Sequence, residues 1–181
     1  VLDLGCGDGE LLRRLIRGRG VRGQGIELDP EAVLRCVERG VPVIQADLDR
    51  GLSGYADHSF DYVVLEQTLQ TLHRPTDVLD EMIRVGRRGI VSFPNFGHWQ
   101  VRLELALLGR RPTGHMAGLP QHEWFDTTHI RPLTLQDFRD WAAGAGATID
   151  QGWARADNQV RTLDGKDNLY AREVLLIIRK T

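Results

Sequence analysis

The chain has 181 residues and a mass of 20.4 kDa, enough for one domain with a substantial core. Its net charge of −2 and pI of about 6.3 give no reason to expect a polyanionic partner. Arg13, Arg14, Arg17, Arg19 and Arg22 cluster, but they share one expected helix and its exit, where a solvated face is the ordinary outcome. Two cysteines, Cys6 and Cys36, make no disulfide framework and suit a reducing cytosol. No apolar run approaches the roughly eighteen residues of a membrane span and no signal peptide is visible, so a cytoplasmic protein without membrane or nucleic-acid partners is expected. The sequence starts at Val1, inside its first strand, and a helix covering the ligand site is expected to precede it.

Residues 1–9, VLDLGCGDG, read as an apolar strand that runs into Gly5, Gly7 and Gly9, a density of glycine that permits a tight turn and close approach of a ligand to bare backbone. Leu11, Leu12, Leu15 and Ile16 then recur at helical spacing until Gly18 and Gly20 stop the helix. GIEL, 25–28, is the second strand. Asp29 has the position of a helix N-cap and Pro30 that of the first helical residue, where a missing N–H costs nothing. Gly40 closes this helix, and 41–46 form a third strand ending at Asp47. Residues 48–59 read as loop, 60–65 as a buried fourth strand, 76–85 as a helix with Val78, Leu79, Met82 and Ile83 on one side, and 89–93 as the fifth strand. A helix over 98–108 leads into a loop rich in Gly, Pro and His that lasts to Pro132. Thr134 and Asp137 have capping-box spacing and open a helix carrying Phe138 and Trp141. The last two strands, near 147–154 and 173–178, are separated by a long polar connection that reads as loop. Alternating strands and helices predict an α/β fold, Rossmann-like, with a seven-stranded, mostly parallel sheet covered on both faces; a terminal hairpin makes the last strand antiparallel.

A glycine turn after the first strand, with an acid (Glu27) ending the second, is the layout of a nucleotide-binding unit. The glycines are spaced Gly-x-Gly-x-Gly, however, and Asp3 lies in the strand before them, where it repels phosphate and suits a cationic ligand. The run resembles the first motif of class I S-adenosylmethionine-dependent methyltransferases, whose cofactor has a sulfonium, an ammonium and a ribose diol but no phosphate. That resemblance implies S-adenosylmethionine, or S-adenosylhomocysteine, with its methionine end on Asp3, Gly5, Gly7 and Gly9. Glu27, with Leu28 beside it, would accept from both ribose hydroxyls; Asp47 would accept from the adenine amino group, with Leu48 against the ring. Asp49 is partly interchangeable with Asp47 at this stage.

The acceptor side offers less. Glu66-Gln67-Thr68 follows the fourth strand, and Pro94-Asn95 lacks the second proline of the Asn-Pro-Pro-aromatic motif of amino-methylating enzymes. Glu66, Asn95 and His98 are the candidates for orienting an acceptor, with Glu66 either a general base or plain electrostatic support. His98, His115, His122 and His129, interleaved with Trp99, Trp124, Phe125 and Asp126, match no compact metal-ligand spacing, so no metal is expected. An aromatic lid or a protein-docking surface fits them better.

EMIRVGR (81–87), GIVSFPNFGHW (89–99), QTLQTL (67–72) and LPQHEWFDTTHIRPLTLQDF (119–138) together resemble the MetW family of bacterial methionine-biosynthesis proteins, over the chain up to about residue 150. Thr128-His129-Ile130-Arg131 stands where the family usually has Pro-Asn-Ile-His. The resemblance implies a methyltransferase-like fold put to an accessory use, in support of homoserine O-acyltransferase, with that enzyme as partner. An active small-molecule methyltransferase is the alternative. The aromatic segment 94–126 is the expected docking surface.

Overall fold

A computed structural model describes residues 1–109, 129–156 and 159–181. Strand β1 (Leu2–Leu4) is wholly buried and stops at Gly5, Gly7 and Gly9, whose φ angles are 72°, 55° and 75°. Left-handed backbone at alternate positions turns the chain back into α1 (Glu10–Arg19), which ends at Gly20, also left-handed. Then come β2 (Gln24–Glu27), α2 (Pro30–Glu38) and β3 (Val43–Gln45). Asp29 caps α2 by accepting from the Glu31 and Ala32 N–H groups, with Pro30 in the first turn. The loop after β3 opens with a short 3-10 turn, Leu48–Arg50, and leads to β4 (Phe60–Glu66). A second such turn, Leu69–Thr71, precedes α3 (Pro75–Val85), β5 (Gly86–Pro94), α4 (Trp99–Leu108) and α5 (Leu135–Gly144). The Thr134–Asp137 capping box is formed in both directions at the start of α5.

The sheet runs β3-β2-β1-β4-β5, all parallel, and continues through β8 (Glu173–Lys180), β6 (Ala147–Ala156) and β7 (Gln159–Thr162). Strand β8 lies between β5 and β6, antiparallel to both. Eight strands are thus present among the described residues where the sequence suggests seven. The polar connection expected as loop contains β7, paired antiparallel with the end of β6, and a one-turn helix, α6 (Asp167–Tyr170). β7 has little strand character of its own. Ladder bonds to β6 supply part of what propensity lacks. The Arg161 guanidinium supplies more, gripping the fully buried Asp167 carboxylate at 2.5 and 3.0 Å.

Chain direction decides which helices cover which face. The β1–α1–β2–α2–β3 crossovers step one way along the sheet and β4–α3–β5 steps the other, so right-handed connections put α1 and α2 opposite α3. On the α3 face, Val63, Leu65, Val91, Phe93, Leu176 and Ile178 alternate along their strands and pack against α3 and α5. Phe93 and Phe138 stack with ring centres 5.2 Å apart. The smaller cluster around α1 and α2 joins Leu12 and Val41 to both cysteines. No described helix is long and apolar enough to cross a membrane.

Candidate ligand-binding site

Strand order reverses between β1 and β4, and in open α/β sheets ligands sit at the carboxyl ends of the strands beside such a switch. A cleft of about 660 Å³ opens there, bounded by Gly5, Glu27, Leu28, Asp47, Leu48, Thr68, Leu72 and His73. Its volume suits a nucleoside with a short tail.

Register brings three acids to one face of the sheet, of which Glu27 borders the cleft, Glu66 borders a separate hollow and Asp3 lies buried in β1. Asp3 pairs with Gly25 on β2 and Val64 on β4, and two residues further along those strands stand Glu27 and Glu66. With a side-chain period of two, all three carboxylates share a face. Asp3 is 3% exposed and accepts no hydrogen bond from any described group. Burial first, then repulsion from Glu66 and Glu27, lifts its carboxyl to about 7.

Glu27 is held firmly. One carboxylate oxygen, Oε2, accepts from the Gly7 N–H at 2.8 Å; the other accepts from Leu28 and Asp29 at 2.8 and 3.0 Å. These bonds tie the glycine turn to the end of β2. They use three of about four acceptor positions, leaving one at Oε2 for a hydroxyl where the sequence suggests a grip on two.

The three glycines serve different ends. A Cβ on Gly5 would lie 2.6 Å from Thr68 Oγ1, so Thr68 packs directly on bare backbone. At Gly9 a Cβ would meet Cys36 Sγ at 2.9 Å. At Gly7 it would meet nothing within 4 Å; glycine is needed there for the left-handed backbone. Cys36 donates from Sγ to the Gly7 carbonyl at 3.2 Å and lies 3.9 Å from the Cys6 sulfur; burial raises both thiol pKa values, so the pair packs the turn against α2 as neutral groups.

The structure separates two acids that sequence leaves interchangeable. Asp49 is spent, its oxygens accepting from the His73 and Arg74 N–H groups at 3.1 and 2.7 Å, which pins the rim of the cleft to the start of α3. Asp47 uses Oδ1 to cap the 3-10 turn at the Asp49 N–H, and its Oδ2 has only an ion pair with Arg50 at 3.8 Å. Leu48 is buried against the cleft and Leu28 is 61% exposed at its mouth.

The acceptor-side candidates do not assemble. Glu66 borders a separate hollow on the far side of Gln67. Asn95 is fully buried. Its Nδ2 donates to the carbonyls of Asp167, Asn168 and Ala171, and its Oδ1 accepts from Gly97 and Leu135. With its amide so engaged, Asn95 cannot orient a substrate, contrary to the sequence expectation. His98 is also buried and caps α4, its Nδ1 accepting from Gln100 at 3.3 Å. Neither residue borders the cleft. His115, His122, Trp124, Phe125 and Asp126 lie outside the described residues. Sequence reading did not single out His73 or Leu72 on the cleft wall. Gln67 and Thr68 could have been found from their place just past β4.

A parallel sheet with an antiparallel strand inserted beside its fifth, and a glycine turn flanked by acids, define the class I methyltransferase fold. Solved structures agree on that fold. A methyltransferase from Thermotoga maritima, described as a possible histamine N-methyltransferase, superposes with a TM-score of 0.70 at 17% identity, covering 99% of this chain and 81% of the other. A methyltransferase from Archaeoglobus fulgidus gives 0.68 at 16%, covering 99% and 85%. The [4+2]-cyclase SpnF gives 0.67 at 19%, covering 99% and 74%, so the fold also carries other chemistry. The family is more specific: the chain belongs to the MetW family, whose model, methionine biosynthesis protein MetW, matches residues 1–178. A bifunctional methionine biosynthesis protein MetXA/MetW from Rhodopirellula baltica is 35% identical over 190 residues, covering 99% of this chain. The chain spans about 30% of that relative's length.

Proposed function

We propose that the cleft binds S-adenosylmethionine or S-adenosylhomocysteine and that the chain serves as an accessory subunit of homoserine O-acyltransferase in methionine biosynthesis. The observation that carries the ligand is Asp3, buried, without a donor and beside two further acids. It suits the ammonium of the methionine moiety. Glu27 Oε2 would take a ribose hydroxyl, Asp47 Oδ2 the adenine amino group, and Leu48 and Leu72 the faces of the ring. When bound, such a cofactor supplies an electrophilic methyl on sulfur; the chain's own residues here bind and orient it.

The accessory role draws on the joining of MetXA and MetW in one polypeptide of the Rhodopirellula relative, which supports association between the two activities. It also draws on the acceptor side, where Asn95 and His98 are taken up by structure. A docking face is at hand in the described part of the aromatic segment: Trp99 is 43% exposed, and Leu103 and Leu107 continue its stripe along α4. The working place we propose is the cytoplasm, where Cys6 and Cys36 stay reduced. The second reading, a working methyltransferase, rests on Glu66 at the end of β4.

Calorimetry with S-adenosylhomocysteine, co-purification with homoserine O-acyltransferase and a turnover assay with methyl-labelled S-adenosylmethionine test these readings together. Micromolar binding lost in Asp3→Asn, with stimulation of the acyltransferase and no transfer of label, is the expected result. Label transferred to a small molecule, and abolished in Glu66→Gln, would establish the enzyme reading instead. Absence of binding to either cofactor form would overturn the ligand assignment.

A further inference from the structure

A second hollow, of about 240 Å³, lies beyond Gln67, which walls both it and the main cleft. Two adjacent rows of the sheet build it. Glu66, Ser92, Leu175 and Trp153 stand in one row across β4, β5, β8 and β6; Glu173, Arg155 and Val160 stand in the next row of the same face. No described group bonds to or pairs with the Glu66 carboxylate. The Arg155 guanidinium is tied only through Nε, to Glu173 at 2.5 Å, and its two terminal nitrogens have no partner among the described residues. Glu173 also accepts from Gln67 Nε2 at 3.3 Å, which fixes the Arg155 side chain toward the β4 side. Trp153, Leu175 and Val160 give the hollow an apolar lining between its charged ends, and Leu175 and Val160 are 38% and 68% exposed.

A carboxylate at one end and a guanidinium edge at the other, both without a partner among the described residues, with an apolar wall between them, match a small zwitterion with an apolar side chain. Glu66 and Arg155 are three strands and one row apart, roughly 16 Å between Cα atoms at about 4.8 Å per strand and about 3.3 Å per residue. Both side chains line the hollow, so an ammonium and a carboxylate on one small molecule between them have a partner at each side. The hollow is much smaller than the main cleft. We infer that this hollow is a binding site for a free α-amino acid with an apolar side chain, its ammonium on Glu66, its carboxylate on the Arg155 fork and its side chain against Trp153 and Leu175. The site goes beyond the cofactor reading and needs nothing bound in the main cleft.

The main cleft could itself take the methionine part of its ligand, so the test separates the two. L-methionine is titrated into the protein, followed by NMR and calorimetry, alone and with S-adenosylhomocysteine saturating the cleft. The same titration in Glu27→Ala keeps the experiment informative should S-adenosylhomocysteine not bind. The expected result is saturable binding whose affinity changes less than twofold in either condition. L-methioninamide, which lacks the carboxylate, and 4-(methylthio)butanoate, which lacks the ammonium, should each bind at least tenfold more weakly to the unaltered protein. Arg155→Lys, which keeps the Glu173 pair but loses the fork, should weaken L-methionine at least threefold with an unchanged melting temperature. No saturable binding up to 20 mM, competition between L-methionine and S-adenosylhomocysteine, or equal binding of the amide would each overturn the assignment.

Discussion

Two regions along the sheet handle their polar side chains in opposite ways. At the β1–β2 end, Asp3 is buried without a donor, Asp47 keeps an oxygen almost free and Glu27 reserves one acceptor position. Past the end of β5, the Asn95 amide has all its donor and acceptor positions filled by five partners, and His98 caps a helix. Asp3 and Asn95 are both buried, so burial alone does not mark a site. The difference lies in the partners: a buried polar group left incomplete costs stability unless something outside the chain completes it, whereas a satisfied one is already accounted for by the fold.

The sharpest break of that contrast would come from Asn95. Asn95→Ala deletes two N–H donors shared among three carbonyls and an oxygen accepting twice, four hydrogen bonds at about 1 kcal/mol each, and is expected to lower stability by about 4 kcal/mol in a urea titration. A loss below about 1 kcal/mol would return Asn95 to the acceptor-side candidates.

Asp3→Asn should act in the reverse sense. Asp3 titrates near 7 in the folded chain and about 3.9 when unfolded, so between those values the folded state binds the extra proton. Stability contributed by that proton is present at low pH and is lost as pH rises through the window, by at most about 4 kcal/mol. The asparagine variant should therefore lack this slope and be the more stable chain at pH 8, measured without ligand. In the unaltered chain, affinity for S-adenosylhomocysteine should climb between pH 5.5 and 7, as Asp3 ionises to meet the ammonium. A flat affinity profile would remove Asp3 from the ligand's surroundings.

Glu27→Ala should cost about 1.5–3 kcal/mol of cofactor affinity by calorimetry, the range for hydrogen bonds to a charged group. Smallest is Trp99→Ala, expected to weaken association with homoserine O-acyltransferase by about 2 kcal/mol while leaving cofactor affinity unchanged. If cofactor affinity falls and association holds, Trp99 belongs to a lid over the cleft and not to a docking face.

What the sequence made legible follows the same divide. The glycine turn, the Asp29 cap, the Thr134–Asp137 box and the strand ends at Glu27 and Asp47 are local signals, each contained in a few neighbouring residues. The parallel half of the sheet follows from them. Strand β7 was not legible because its pairing, not its composition, makes it a strand. Asp47 and Asp49 could not be told apart because the bonds that occupy Asp49 come from His73 and Arg74, far along the chain. Asn95 looked like chemistry because a polar residue at a strand end usually faces a ligand. Here the chain returns as α6 and α5 to cover it. Trp153 and Arg155 become neighbours of Glu66 only through the register of β6, β8 and β5.

The bonds converging on Asn95 also decide how the molecule breathes. One amide fastens the end of β5 to the first turn of α5 and to all of α6, so none of the three can swing away while the others stay put. The amide protons of Gly97 and Leu135, which Asn95 accepts, should then exchange with solvent at one common rate, that of a single opening that frees the end of β5, the first turn of α5 and α6 together. Held this way, these three pieces come loose as one unit or stay closed.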